Sequence, residues 1–65
     1  MENPIRLLRR NEVEQITGLA RSTIYAYMRS GDFPHPIRIG IRAVAWKSCD
    51  VEEWINHRAI AGEQP

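Results

Sequence analysis

Residues 17–42 read TGLARSTIYAYMRSGDFPHPIRIGIR, and this succession of turn, helix, rigid linker and hairpin decides the fold. Gly18 closes a preceding helix, because glycine accepts the left-handed conformation that helix C-termini often require. The next helix is expected from about Arg21 to Ser30, stopping at Gly31. Its Ile24, Tyr27 and Met28 fall at i, i+3 and i+4 as one buried stripe, and Leu19 fills the angle between the helices. Asp32, Phe33, Pro34, His35 and Pro36 make a linker in which two prolines forbid helix and Phe33 anchors the chain to the core. From Ile37 to Trp46 apolar residues alternate with others about Gly40, which predicts a two-residue type II′ turn of Gly40 and Ile41. In that register Ile37, Ile39, Val44 and Trp46 face one side, and Arg38, Ala43 and Ala45 the other. The whole describes a helix-turn-helix followed by a wing, a shape that fits duplex DNA.

Upstream, Ile5, Leu7 and Leu8 suit an extended segment that pins the N-terminus to the core. Asn11 and Glu14 form an N-x-x-E pattern that opens the first helix, over about residues 11–16. Val13 and Ile16 then share its buried face, with Leu8 as a staple. That helix has only about two turns and must take its stability from packing. Downstream, Ser48 or Asp50 caps a last helix over about residues 49–59, where Val51, Trp54, Ile55 and Ala59 lie at i, i+3, i+4 and i+8. Ile24, Met28, Trp46, Trp54 and Ile55 should be buried together, the two tryptophans as the largest bodies of the core. The fold class is thus mainly α with a small β-hairpin: a winged helix-turn-helix of three helices plus wing. It occupies residues 1–65 as one domain, ordered over about residues 5–60, with a disordered tail at 61–65.

A chain of 65 residues buries only about 60% of the surface its unfolded form exposes and has no volume to spare for a catalytic cleft. The one cysteine, Cys49, forms no internal disulfide, and with His35 and His57 it makes no metal-ligand spacing. No phosphate loop or nucleophile motif occurs. We therefore expect no enzyme activity, no cofactor and no metal. No run of about 18 apolar residues suggests a membrane span, and MENPIRLLRR lacks the pattern of a secretory signal. The expected location is therefore the cytoplasm.

The net charge is only +1, but its distribution is uneven. Arg21, Arg29, Arg38 and Arg42 face Asp32 alone in residues 21–46, whereas Asp50, Glu52, Glu53 and Glu63 outweigh Arg58 in residues 50–63. One basic face and an acidic far side are expected. In a helix-turn-helix the leading end of the second helix meets base edges, and its free amides and dipole attract phosphate. Ser22, Thr23, Ala26 and Arg29 occupy the exposed face of that helix and are expected to read sequence. Arg21 and Tyr25 at its margins hold the backbone, and Arg38 and Arg42 on the hairpin contact backbone or minor groove. The alternative for Ser22 or Thr23 is a cap on the helix's own amides.

The pieces TGL, STIY, SGDFP, IRIG, RAVAW and DVEEWI occur in an order that spans about residues 7–58. In that order they resemble the AlpA-like prophage regulators, which are related to MerR-type winged helices and the phage excisionases. The resemblance implies a sequence-specific, double-stranded DNA-binding transcriptional regulator of prophage or mobile-element genes. The alternative it carries is an excisionase-like recombination directionality factor that bends DNA and directs an integrase. Self-association on repeated sites and an integrase contact follow as further expected partners. Two positions depart from the pattern: Ala20 stands where a serine commonly precedes the recognition helix, and Ile41 where the hairpin tip often has a second turn-former. Ile41 is then either an exposed apolar wing tip or a sign of another register.

Overall fold

Six elements follow one another in the computed structural model: β1 (Leu7–Leu8), α1 (Arg10–Thr17), α2 (Arg21–Ser30), β2 (Ile37–Arg38), β3 (Val44–Lys47) and α3 (Ser48–His57). The structure describes residues 5–58. The expected burial of Ala59 and the disordered tail at 61–65 fall outside them. Three helices and a wing-like antiparallel hairpin are present, as the winged-helix reading requires. No helix of the described residues is long and apolar enough to cross a membrane.

The start of α1 differs from the expected cap. The helix begins at Arg10, so the residue placed to cap it is Glu12, whose Oε1 accepts the Arg9 backbone N–H at 2.8 Å. Asn11 and Glu14 do not form the box; Glu14 instead pairs with Arg10 one turn away. Val13 is fully buried, but Ile16 is 49% exposed, because so short a helix lays only one residue squarely on the core. Gly18 ends α1 at φ 76° with its N–H on the Glu14 carbonyl. The Thr17 hydroxyl donates to the Val13 carbonyl and accepts from the Leu19 N–H, which shapes the turn into α2.

The stop of α2 lies where glycine was expected. Gly31, at φ 83°, bonds the Met28 carbonyl, and the Asp32 N–H reaches back to the Tyr27 carbonyl at 2.7 Å. These two bonds make a Schellman cap, which fixes the direction in which the linker leaves. Phe33 is buried, and the two indoles hold the linker around it. Trp46 Nε1 donates to the Pro34 carbonyl at 2.8 Å, and Trp54 Nε1 donates to the Asp32 carbonyl. Phe33 meets both rings edge-on, at centroid distances of 6.4 Å from Trp46 and 4.8 Å from Trp54.

The sheet has the order β1-β3-β2. Leu8 lies opposite Trp46, so the N-terminal segment is pinned to the core as expected. The wing register is not the expected one: Ile37 faces Ala45 and Arg38 faces Val44. Both Ile39 and Gly40 donate to the Ala43 carbonyl, which is a β-bulge, and the turn itself is centred on Ile41 and Arg42. Gly40 does not take the positive φ that a type II′ turn requires at its first central position. Slipping by one residue exchanges the faces. Arg38 therefore shares the side of Val44 and Trp46, while Ile37 shares that of Ala45.

Leu8, Val13, Ile24, Phe33, Trp46 and Val51 form the core, with Leu19, Tyr27, Met28 and Trp54 packed against it. Of the five residues expected to be buried together, Ile24 and Trp46 are fully so and Met28 and Trp54 partly. Ile55 is 38% exposed, because only Val51 and Trp54 of α3 reach the core. Neither Ser48 nor Asp50 caps α3, whose N-cap is Lys47 without a side-chain bond. Ser48 is engaged elsewhere: its N–H donates to the Arg6 carbonyl and its Oγ accepts the Arg6 N–H, which ties the N-terminal segment to the start of α3.

Candidate nucleic-acid interface

The leading end of α2 is uncapped. Its N-cap, Ala20, has no side chain able to accept, and no other side chain takes that place. Ser22 and Thr23 thus do not serve as caps, and the first amides of the helix face outward with the positive end of its dipole. Arg21 and Ser22 beside them are exposed and Thr23 is half-buried. The Arg21 guanidinium lies 5.8 Å from the centre of the Tyr25 ring, an exposed cation–π contact that extends the basic margin along the helix. Ala26 is half-buried, and Arg29 is exposed in the last turn of α2. The buried stripe of Ile24, with Tyr27 and Met28 packed on the core, orients this face away from the domain interior.

The wing carries two arginines with different local roles. Arg38 Nη1 donates to the Ile41 carbonyl at 3.2 Å and so braces the tip. Ile41 itself is 90% exposed there, so it is both an apolar wing tip and a marker of the altered register. Arg42 follows it and turns toward the helices. With Val44 it forms one wall of an open hollow of about 370 Å³, whose other walls are Arg9, Arg10, Asn11 and Tyr25. Three elements distant in sequence, the α1 start, α2 and the wing, therefore meet around one basic depression.

Among the described residues, the ion pairs are Arg6–Glu12 at 3.7 Å and Arg10–Glu14. Arg9, Arg21, Arg29, Arg38 and Arg42 enter neither, so their charges remain available at the surface. Glu52 and Glu53 are exposed on α3, which contributes nothing to the hollow. The structure brings together Arg21 with Tyr25 and Tyr25 with Arg42; it leaves Arg29 and Arg38 outside the hollow. Sequence reading gives Arg9, Arg10 and Asn11 no part in binding, and Asn11 only the expected helix cap. The only signal for them was a pair of arginines at the mouth of a helix, which is equally ordinary on any solvated surface.

The model of the family described as prophage CP4-57 regulatory protein (AlpA) matches residues 6–59. A protein of Enterobacteria phage P4, the uncharacterized protein ORF88, is 44% identical over 59 residues, covering 91% of this chain and 66% of its own length. The chain thus spans about two thirds of that relative. The DNA-binding transcriptional activator AlpA of Escherichia coli K12 is 33% identical over 60 residues, covering 83% of this chain and 86% of that protein. The matched span includes α1, α2, the wing and α3, so the likeness extends over every element just described, and the chain belongs to the AlpA family of prophage regulatory proteins.

Proposed function

We propose that this protein is a sequence-specific regulator that binds double-stranded DNA at prophage or mobile-element promoters. In this reading α2 enters the major groove and the wing lies on the backbone or in the minor groove. The observation that carries it is the uncapped, basic leading end of α2 set beside the arginine-bearing wing. Ser22, Thr23, Ala26 and Arg29 read base edges, because they lie on the side of the entering helix away from its core stripe, with Ser22 and Arg29 exposed and Thr23 and Ala26 half-buried. Arg21, Tyr25, Arg38 and Arg42 hold the backbone. The protein acts in the cytoplasm without catalysis, and kinship with a named transcriptional activator supports the regulatory role.

A single module of this size covers about 600 to 1,000 Å² and binds one site weakly, so occupancy in the cell rests on repeated sites and contacts between copies on DNA. One observation favours a second reading, that of an excisionase-like factor which bends DNA and contacts an integrase. Ile41 projects from the wing almost fully exposed, and apolar side chains inserted between base steps are a recurrent device of DNA-bending proteins. A binding map across the host genome separates the two. Sites upstream of promoters, with transcript levels that change on deletion, support the regulator. Arrays beside an attachment site, with excision lost on deletion and transcripts unchanged, support the excisionase. No reproducible sites would overturn both.

A further inference from the structure

We propose that the hollow between the α1 start, α2 and the wing is a seat for one phosphate of the DNA backbone, with Arg9 and Arg42 as its charged jaws. The inference rests on the duplex-DNA reading and adds to it a site that spans three elements. Arg9, Arg10, Asn11, Tyr25 and Arg42 converge on one open depression. Arginine suits such a place because its planar fork meets phosphate oxygens with two parallel N–H donors. The depression is open, so a group carried on a continuous strand enters from the side.

The carboxylates close to this place do not cancel its charge. Glu12 accepts the Arg9 backbone N–H through Oε1 and pairs with Arg6 through Oε2. Glu14 is taken up by Arg10, which leaves Arg10 as a held wall and not as a full positive charge. Arg9 and Arg42 enter no ion pair among the described residues. Asn11 and Tyr25 add neutral polar groups to the walls, and Arg21 stacked on the Tyr25 ring extends the positive potential toward the leading end of α2. One phosphate seated here touches the first helix, the recognition helix and the wing at once. It thereby sets the angle at which both reading elements meet the duplex.

The test is fluorescence anisotropy of a labelled 20-base-pair duplex of mixed sequence, titrated between about 50 and 200 mM salt with the intact protein and with R9Q, R58Q and Y25F. Far-UV circular dichroism of each variant verifies the fold, which R9Q leaves alone because the helix cap uses the Arg9 backbone and not its side chain. Each phosphate neutralised contributes about 0.9 to the slope of log affinity against log salt. R9Q is expected to flatten that slope by about 0.9. R58Q, which removes a charge at the end of α3 that lies outside the hollow and enters no ion pair among the described residues, leaves it within about 0.3 of the parent. Y25F, which removes a neutral donor, is expected to lower affinity at every salt concentration with the slope unchanged. An R9Q slope equal to the parent's, or an R58Q loss as large as that of R9Q, overturns the seat while duplex binding stands. A parent protein with no salt-dependent affinity overturns the duplex reading itself, and the seat with it.

Discussion

Replacing Trp46 by phenylalanine should destabilise the domain by about 2 to 4 kcal/mol, and the structure apportions that cost. Trp46 is fully buried, and its indole N–H satisfies the carbonyl of Pro34 at 2.8 Å. A phenylalanine cannot donate, and leaving the part-buried Pro34 carbonyl unsatisfied costs about 1 to 3 kcal/mol. The volume removed is on the order of 40 Å³, which at about 24 cal/mol per Å³ of cavity adds about 1 kcal/mol. A chain of this length has a total stability of roughly 3 to 10 kcal/mol, so the change is a large share of it. The midpoint of thermal unfolding should fall by roughly 10 to 25 °C. Trp54 provides the comparison, since its indole holds the neighbouring Asp32 carbonyl at an exposed position where water replaces the lost donor. W54F should therefore cost only about 1 kcal/mol. Urea unfolding followed by far-UV circular dichroism measures both without depending on tryptophan emission. Equal losses in the two variants, or a loss below about 1 kcal/mol for W46F, would refute the assignment of the linker's anchorage to Trp46.

Three further outcomes follow from particular positions. Gly31→Ala should cost about 1 to 2 kcal/mol through backbone strain alone, because a Cβ there meets nothing within 4 Å while φ stays at 83°; thermal unfolding checks it. Ile41→Ser should leave stability within about 0.5 kcal/mol, since the side chain is 90% exposed, and a loss of DNA bending in a two-dye energy-transfer assay would identify Ile41 as a wedge. Arg42→Ala should lower affinity for all duplexes alike and reduce the salt slope by about one unit, and an unchanged slope in an anisotropy titration would count against a backbone contact by the wing.

The helical part of this fold is legible because its signals are local. Gly18 and Gly31 stand where the chain turns left-handed, and the Ile24, Tyr27 and Met28 stripe repeats at the helical period. The wing was legible as a hairpin but not in its register. Gly40 serves a bulge as well as a turn, and alternation counted across a bulge assigns every later side chain to the wrong face. Periodicity likewise names a helix face without saying how much of it is covered, which is why Ile16 and Ile55 lie at the rim. The cap of α1 was misplaced because Glu12 and Glu14 both lie three residues after a plausible start, and only the packed structure chooses between them. Arg21, Tyr25 and Arg42 could be named from the helix and hairpin that carry them. Arg9, Arg10 and Asn11 could not, since nothing in a linear chain reveals that a distant helix start closes the same hollow.

The central claim is that discrimination between DNA sequences lies on the outer face of α2, and a selection from random duplexes tests it most directly. The parent protein is compared with a version in which Ser22, Thr23, Ala26 and Arg29 are replaced by the corresponding residues of a related regulator. The swap spares Ile24, Tyr27 and Met28, so the core contacts of the helix persist. One good bidentate base contact is worth about 1 to 3 kcal/mol of discrimination, enough to move the selected consensus. The account predicts that the two folded proteins recover different sequences. Recovery of the same consensus by both would contradict it and would move readout to the wing or to DNA shape.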